Sequence, residues 1–185
     1  FNVTTVEKEP LIPIGHEIAC DQFRLPIESP KKAFKTSGPK LTVSTNGDNL
    51  SASSSKVNFM FNKKTGIVTS YKVDGTEYFS EGFGIQPNFW RAPTDNDYGN
   101  GMPKRLQVWK ESSKNFNVTD ATVTMDGNNA VVNVNYLLPA GNLYIVNYTI
   151  YPSGAVNVAA RFTSTDMDAA QTEVSESTRT ATFTP

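Results

Sequence analysis

A chain of 185 residues with 38% hydrophobic and 19% charged side chains has material for one domain of ordinary size, or for one domain plus a fragment, and its composition excludes an intrinsically disordered polymer. A net charge of −1 at pH 7 sets up no basic field for nucleic acid or anionic lipid, and no apolar run approaches the ~20 residues of a membrane-spanning helix. The single cysteine, Cys20, excludes an internal disulfide.

Phe1 to Glu7 alternates with the period of a strand, and Pro10 and Pro13 interrupt it. Ile14 to Leu25 is a second extended run. Ile18 and Cys20 fall on one face and Phe23 and Leu25 on the other, so a bulge is expected near Asp21-Gln22. Two strands are marginal alone, which fits the tail of a larger domain. Residues 28–40 hold prolines, lysines and Ser-Gly without periodicity and read as a linker between residues 1–27 and 41–185.

From Leu41 the pattern is all-β. Leu41–Thr45 and Leu50–Ser54 flank an Asn46-Gly47 turn; Val57, Phe59 and Phe61 alternate; Asn62 to Gly66 is a hairpin loop. Ile67 to Val73 alternates again, Asp74-Gly75 turns, and Thr76 to Ser80 returns. Later, Asn117–Met125 and Ala130–Leu138 flank Asp126-Gly127, and Leu143–Tyr151 and Ala155–Thr163 flank Pro152-Ser153-Gly154. Gln171 to Thr184 is a last, mostly polar strand. Short strands at this even spacing predict an antiparallel β-sandwich. One helix of about two turns is expected where Pro103 sits in a first turn with Leu106 and Trp109 on one face.

Between the two β-rich halves lies Asn88-Phe-Trp-Arg-Ala-Pro-Thr-Asp-Asn-Asp-Tyr-Gly99, the densest set of polar partners in the chain. Arg91 can pair with Asp95 or Asp97, and Asn and Asp side chains bond irregular backbone, so a long, ordered, self-bonded loop is expected. Asp95 and Asp97 are too close in one loop to face each other across a sugar at about 5 Å, as a retaining glycosidase requires. Loop bonding is the better reading of both. An EF-hand also fails: counted from Asp95, Gly99 is fifth where glycine belongs at six, and position twelve is Leu106 instead of glutamate, which leaves open a different oxygen-ligand site for a hard cation. His16 and Cys20 would lie about 13 Å apart on an extended strand, too far for a nucleophile and its base. With one histidine and one cysteine, a zinc site would need carboxylates to complete it. Phe89, Trp90, Tyr98 and Trp109 suit either a core or a sugar-stacking platform. Sequons at Asn2, Asn49, Asn117 and Asn147 arise readily by chance in an Asn- and Thr-rich chain. There is no P-loop, Rossmann, HExxH or GxSxG motif.

Phe89-Trp90-Arg91-Ala92-Pro93-Thr94-Asp95-Asn96-Asp97, followed by Trp109-Lys110, resembles the segment that opens the C-terminal β-domain of large β-galactosidases of glycoside hydrolase family 2. Gly15-His16-Glu17-Ile18-Ala19 and Gln22-Phe23-Arg24-Leu25 resemble the last strand of the preceding immunoglobulin-like domain in those enzymes. The motifs occur in the family's order, and the resemblance covers nearly the whole chain. It implies a galactose-mutarotase-like supersandwich, of which residues 41–185 would be the N-terminal half, preceded by two immunoglobulin-like strands.

The resemblance further implies a parent enzyme that hydrolyses terminal β-D-galactosides with retention. Its two glutamates stand on a (β/α)₈ barrel outside this chain, and the far C-terminal part of the domain supplies an active-site aromatic. No catalytic residue is assigned here, and the chain alone is expected to be inert. Candidate substrate-binding residues are Arg91, Asp95, Asn96, Asp97, Tyr98 and Trp109. No cofactor or metal is assigned to these residues; the family's Mg and Na ions would be bound elsewhere. Expected partners are the barrel domain, the remaining C-terminal half and a galactoside, with oligomer contacts open and no nucleic acid or membrane span. A stand-alone carbohydrate-binding module, a purely structural or oligomerisation domain, and a parent acting on another β-glycoside remain as alternatives. Localisation is left open between bacterial cytoplasm and periplasm.

Overall fold

The computed structural model describes residues 1–23, 33–79, 83–164 and 175–184, with backbone alone at 164 and 175–180. The chain divides into two compact units, Phe1–Ala33 and Phe34–Pro185.

In the first unit, β1 (Asn2–Thr4) pairs antiparallel with β2 (Glu17–Cys20), and every residue of both strands is exposed. The expected parity slip is present, but at a different place. Val3 pairs with Ala19 and Thr4 with Glu17, so Ile18 is the extra residue, upstream of Asp21-Gln22. Phe1, Val3, Ile14, Ile18 and Phe23 remain largely in water, because a two-stranded ribbon has no second layer to cover them. Arg24 to Lys32, with Leu25 and the first part of the expected linker, lie outside the described residues.

The second unit begins before the first strand of its sandwich. Phe34 packs edge-on against Tyr151 with ring centroids 5.2 Å apart, and Ser153 N–H donates to the Thr36 carbonyl at 3.3 Å. Gly38 passes so close to Pro152 that a Cβ would lie 2.1 Å from its carbonyl oxygen. The stretch from Phe34 is therefore laid onto the sandwich.

Two antiparallel five-stranded meanders follow. One comprises β3 (Thr42–Asn46), β4 (Asn49–Ser53), β5 (Val57–Asn62), β6 (Ile67–Val73) and β7 (Thr76–Glu77). The other comprises β8 (Asn117–Asp126), β9 (Asn129–Leu137), β10 (Leu143–Ile150), β11 (Val156–Ser164) and β12 (Ser175–Phe183). Alternation selects the core. Leu50 and Ala52 of β4, Val57, Phe59 and Phe61 of β5, and Ala130, Val132, Val134 and Tyr136 of β9 are at most 1% exposed. The sheets meet in one apolar cluster, with Phe59 and Phe61 against Tyr148 at 5.6 and 6.2 Å between ring centroids. Each aromatic side chain buried here contributes on the order of 2–3 kcal/mol.

Two single-residue bulges keep that face in register. On β6, Phe61 pairs with Val68 but Met60 with Ser70, so Thr69 is extra and both Val68 and Tyr71 point inward. On β8, Thr119 is extra between Val118 and Asp120. The plain alternation expected for 67–73 is corrected accordingly.

Asp74-Gly75 forms its two-residue turn with φ of 51° and 81°, the left-handed pair a tight hairpin requires. At the other two turns the loop is one residue later than expected. Asn46 and Asp126 close their strands, and Gly47-Asp48 and Gly127-Asn128 make the turns. The return strand after Gly75 is only β7, and Ser80 lies outside the described residues.

Gly66 ends the Asn62 loop at φ 72°, where an added Cβ would sit 2.7 Å from the Phe116 ring and 2.8 Å from Val118. Its carbonyl accepts the buried Tyr136 hydroxyl at 2.9 Å, a bond from one sheet to a turn of the other. Gly66→Ala is expected to lower stability by roughly 1–3 kcal/mol, through left-handed strain and overpacking. Urea unfolding measures it, and an unchanged midpoint would show that this turn can repack.

Candidate functional site: the loop from Asn88 to Ser113

The loop is anchored before it turns polar. Phe89 packs against Tyr144, Trp109 and Phe162 with centroids 5.1, 6.1 and 6.1 Å away, and its N–H donates to Ser113 Oγ at 2.6 Å. Ser113 Oγ in turn donates to the Trp109 carbonyl at 3.0 Å, which ties the two ends of the excursion together. Asn88 Oδ1 accepts the Trp90 N–H at 3.1 Å and shapes the exit from the sheet.

Beyond Trp90 the backbone is helical where an irregular loop was expected. α1 (Asp95–Gly99), α2 (Met102–Arg105) and α3 (Gln107–Ser112) follow one another, and the single helix expected around Pro103 is split into α2 and α3. The reason lies in Thr94-Asp95-Asn96-Asp97. Thr94 is extended at φ −92° and ψ 172° and caps α1, while the Asp97 carboxylate reaches back to the Thr94 N–H at 2.7 Å. That is a capping box with aspartate at the third helical position. Gly101, at φ 72°, then turns the chain from α1 into α2, and Pro103 takes an early position of α2 where no N–H is needed.

Arg91 completes the clamp. Its Nη1 donates to Asp97 Oδ2 at 2.6 Å and its Nη2 to Oδ1 at 2.9 Å, a bidentate pair. Thr94 Oγ1 also donates to Oδ2, at 2.9 Å. Asp97, 8% exposed, thus accepts four hydrogen bonds. The bond from Arg91, then that from the Thr94 backbone, hold its carboxyl well below the usual carboxylate range; the Arg91 guanidinium is pushed up in return. A carboxylate that stays ionised is no proton donor near neutral pH, and its oxygens are occupied by four hydrogen bonds. Its work is to fix α1.

The structure distributes the sequence candidates unevenly. Arg91, Thr94 and Asp97 come together in the clamp. Asp95, Asn96 and Tyr98 face solvent from α1, with Tyr98 65% exposed. Trp109 is half-buried between Phe89 and Phe162, in the aromatic cluster that carries the loop. In the first unit, His16 bonds Thr5 through its backbone and Cys20 is an exposed free thiol. Thr94 and Ser113 are the residues the sequence reading passed over. The Thr-x-x-Asp spacing of a capping box was available to flag Thr94; Ser113 had no local signal, because its partner is 24 residues away.

Among the described residues no group of three or more His, Cys, Asp or Glu side chains converges to hold a metal ion, and Asp97 is already filled by Arg91. Among the described residues no helix is long and apolar enough to cross a membrane.

A self-bonded loop that presents polar side chains from the edge of an antiparallel sandwich defines a β-domain built around a loop scaffold. The chain belongs to the β-galactosidase small-chain family, whose model matches residues 53–182 and so takes in the clamp and most of both sheets. It is 34% identical over 146 residues to a β-galactosidase of Priestia megaterium, covering 78% of this chain and 14% of that protein. It is 30% identical over 147 residues to a β-galactosidase of Kluyveromyces lactis, covering 74% and 14%. A β-galactosidase small subunit of Latilactobacillus sakei is 27% identical over 129 residues, covering 56% of this chain and 39% of that subunit. The chain thus spans about one seventh of the length of the β-galactosidases it matches.

Because the folded-state pKa of Asp97 is depressed, the clamp's contribution is present above the ordinary aspartate value of about 3.9 and is lost only as pH falls below it. The Asp97 carboxyl ¹³C shift should stay constant from pH 7 to about 4. Asp97→Asn should speed amide exchange across residues 94–100 while the sheets keep their protection. A midpoint at the ordinary value would mean that the Arg91 pair does not persist in solution.

Proposed function

We propose that this chain is an accessory region of a β-galactosidase that hydrolyses terminal β-D-galactosides, with the catalytic carboxylates held elsewhere in the polypeptide. The observation that carries the reading is the family match together with its location, since the matched region includes a loop whose one buried carboxylate is committed to structure. The sandwich supports the loop through Phe89 and Trp109, and the clamp fixes α1. Asp95, Asn96 and Tyr98 then stand on a rigid turn from which they can line one wall of a sugar pocket completed by the catalytic domain. Arg91 acts through Asp97 as a positioning residue. The metal ions associated with the family would be held outside residues 1–185.

In the full-length polypeptide that carries these residues, hydrolysis of o-nitrophenyl-β-D-galactoside is expected, and the 185-residue chain alone should show none. Asn96→Ala or Tyr98→Ala in the full-length protein should raise KM about tenfold, the effect of losing one hydrogen bond of ~1.4 kcal/mol, with little change in kcat. An unaltered KM in both variants would remove α1 from the pocket wall.

A further inference from the structure

In a meander, alternate turns emerge at the same end of the sheet. The Gly127-Asn128 turn after β8 and the Pro152-Ser153-Gly154 turn after β10 therefore stand side by side, two strand spacings or ~10 Å apart. Residues 34–40 are laid over the same end. Together they frame a recess of about 750 Å³, within the ~300–1,000 Å³ of small-ligand sites.

The wall formed by residues 34–40 is fixed in place. Phe34 packs on the Tyr151 ring, Ser153 N–H donates to the Thr36 carbonyl, and Gly38 lies too close to Pro152 for any larger residue. A wall held at three points needs little further ordering when a ligand arrives.

The lining is polar and unspent. Ser37 and Lys40 stand on one side, Asp126, Asn128 and Asn129 on another, and Tyr151 on a third. Among the described residues, none of these six side chains makes a hydrogen bond or an ion pair. The contrast with Asp97, whose carboxylate is filled four times over, is complete. One ammonium and one carboxylate cancel, so the recess has no net charge with which to select an ion. Two amides and two hydroxyls offer donors and acceptors in both senses, and the Tyr151 ring adds an apolar surface. A neutral polyhydroxyl ring can use all of these groups at once, whereas an anion would meet Asp126 and a cation Lys40.

We propose that this recess is a second carbohydrate site, which holds one neutral pyranose unit and does no chemistry on it. Asp126 is the one carboxylate among its described lining residues, so the acid and nucleophile of a retaining glycosidase cannot be assembled there. The recess is also remote from the loop that carries α1. Tyr144, which anchors that loop, and Ile150, beside the recess, lie at opposite ends of β10, ~20 Å apart at about 3.3 Å per residue. The preference for a neutral sugar follows from the lining; the choice of a galactoside rests on the reading of the chain as part of a β-galactosidase.

The test follows hydrogen exchange in the full-length polypeptide that carries these residues. The probe is isopropyl-β-D-thiogalactoside, a galactoside that is not hydrolysed, and turnover of o-nitrophenyl-β-D-galactoside is measured alongside. At ten times the midpoint concentration, exchange across residues 126–129 should slow about tenfold. Asn128→Ala and Lys40→Ala should each raise that midpoint about tenfold; the φ of Asn128 is not positive, so alanine adds no strain. Asp48→Ala, at the exposed equivalent turn of the other sheet, should leave the midpoint where it is. Absence of slowing up to the solubility limit of the probe, or slowing that survives both substitutions, overturns the second site and leaves the functional reading standing. Slowing that depends on Asn128 and Lys40 in a protein without turnover does the reverse. Slowing by the zwitterion β-alanine where the galactoside has no effect would assign the recess to a charged ligand and also overturn the proposal.

Discussion

An antiparallel strand shows every second side chain to the same face, and the second unit depends on keeping that parity across ten strands. Where strict alternation would turn an inward residue out, one extra residue restores it: Thr69 brings Tyr71 inward after Val68, and Thr119 resets β8. The consequence reaches well beyond the bulges. Tyr71 meets Gly154 and Tyr136 meets Gly66 only because both tyrosines face the same interior, so two turns of the sandwich are tied to opposite sheets by parity alone.

The loop between the sheets uses that interior as an anchor. Phe89 and Trp109 enter an aromatic cluster with Tyr144 and Phe162, and the polar excursion between them is then short enough to be organised by one carboxylate. Asp97 caps a helix, pairs an arginine and accepts a threonine hydroxyl at once. This economy separates the residues that hold the loop from those it presents. Asp95, Asn96 and Tyr98 face solvent, whereas Asp97 is turned into the clamp.

Among the described residues, two of the places where apolar side chains stay in water share a cause. In the first unit a two-stranded ribbon has no layer to pack on, and Phe1, Val3 and Ile18 are exposed. At the β7–β12 flank a nine-residue strand runs past the end of a shorter sheet, and Phe183 and Tyr78 are half in water.

Much of this was legible in the residues themselves. Alternation marked the strands, Asp-Gly and Asn-Gly pairs marked turns to within a residue, and the motif from Phe89 to Asp97 carried the family. These signals are local: they depend on side-chain periodicity, on glycine's access to positive φ and on contiguous identity. The tertiary structure alone decided which partner Arg91 takes, that Asp97 is consumed by the clamp, that Trp109 sits in the aromatic cluster while Tyr98 faces out, and that Ser113 closes the loop. It also decided where each bulge falls and which flank stays open. Those outcomes depend on contacts between residues far apart in the chain, such as the 70 positions between Gly66 and Tyr136. A sequence window sees propensities, whereas pairing and exposure are properties of the packed whole.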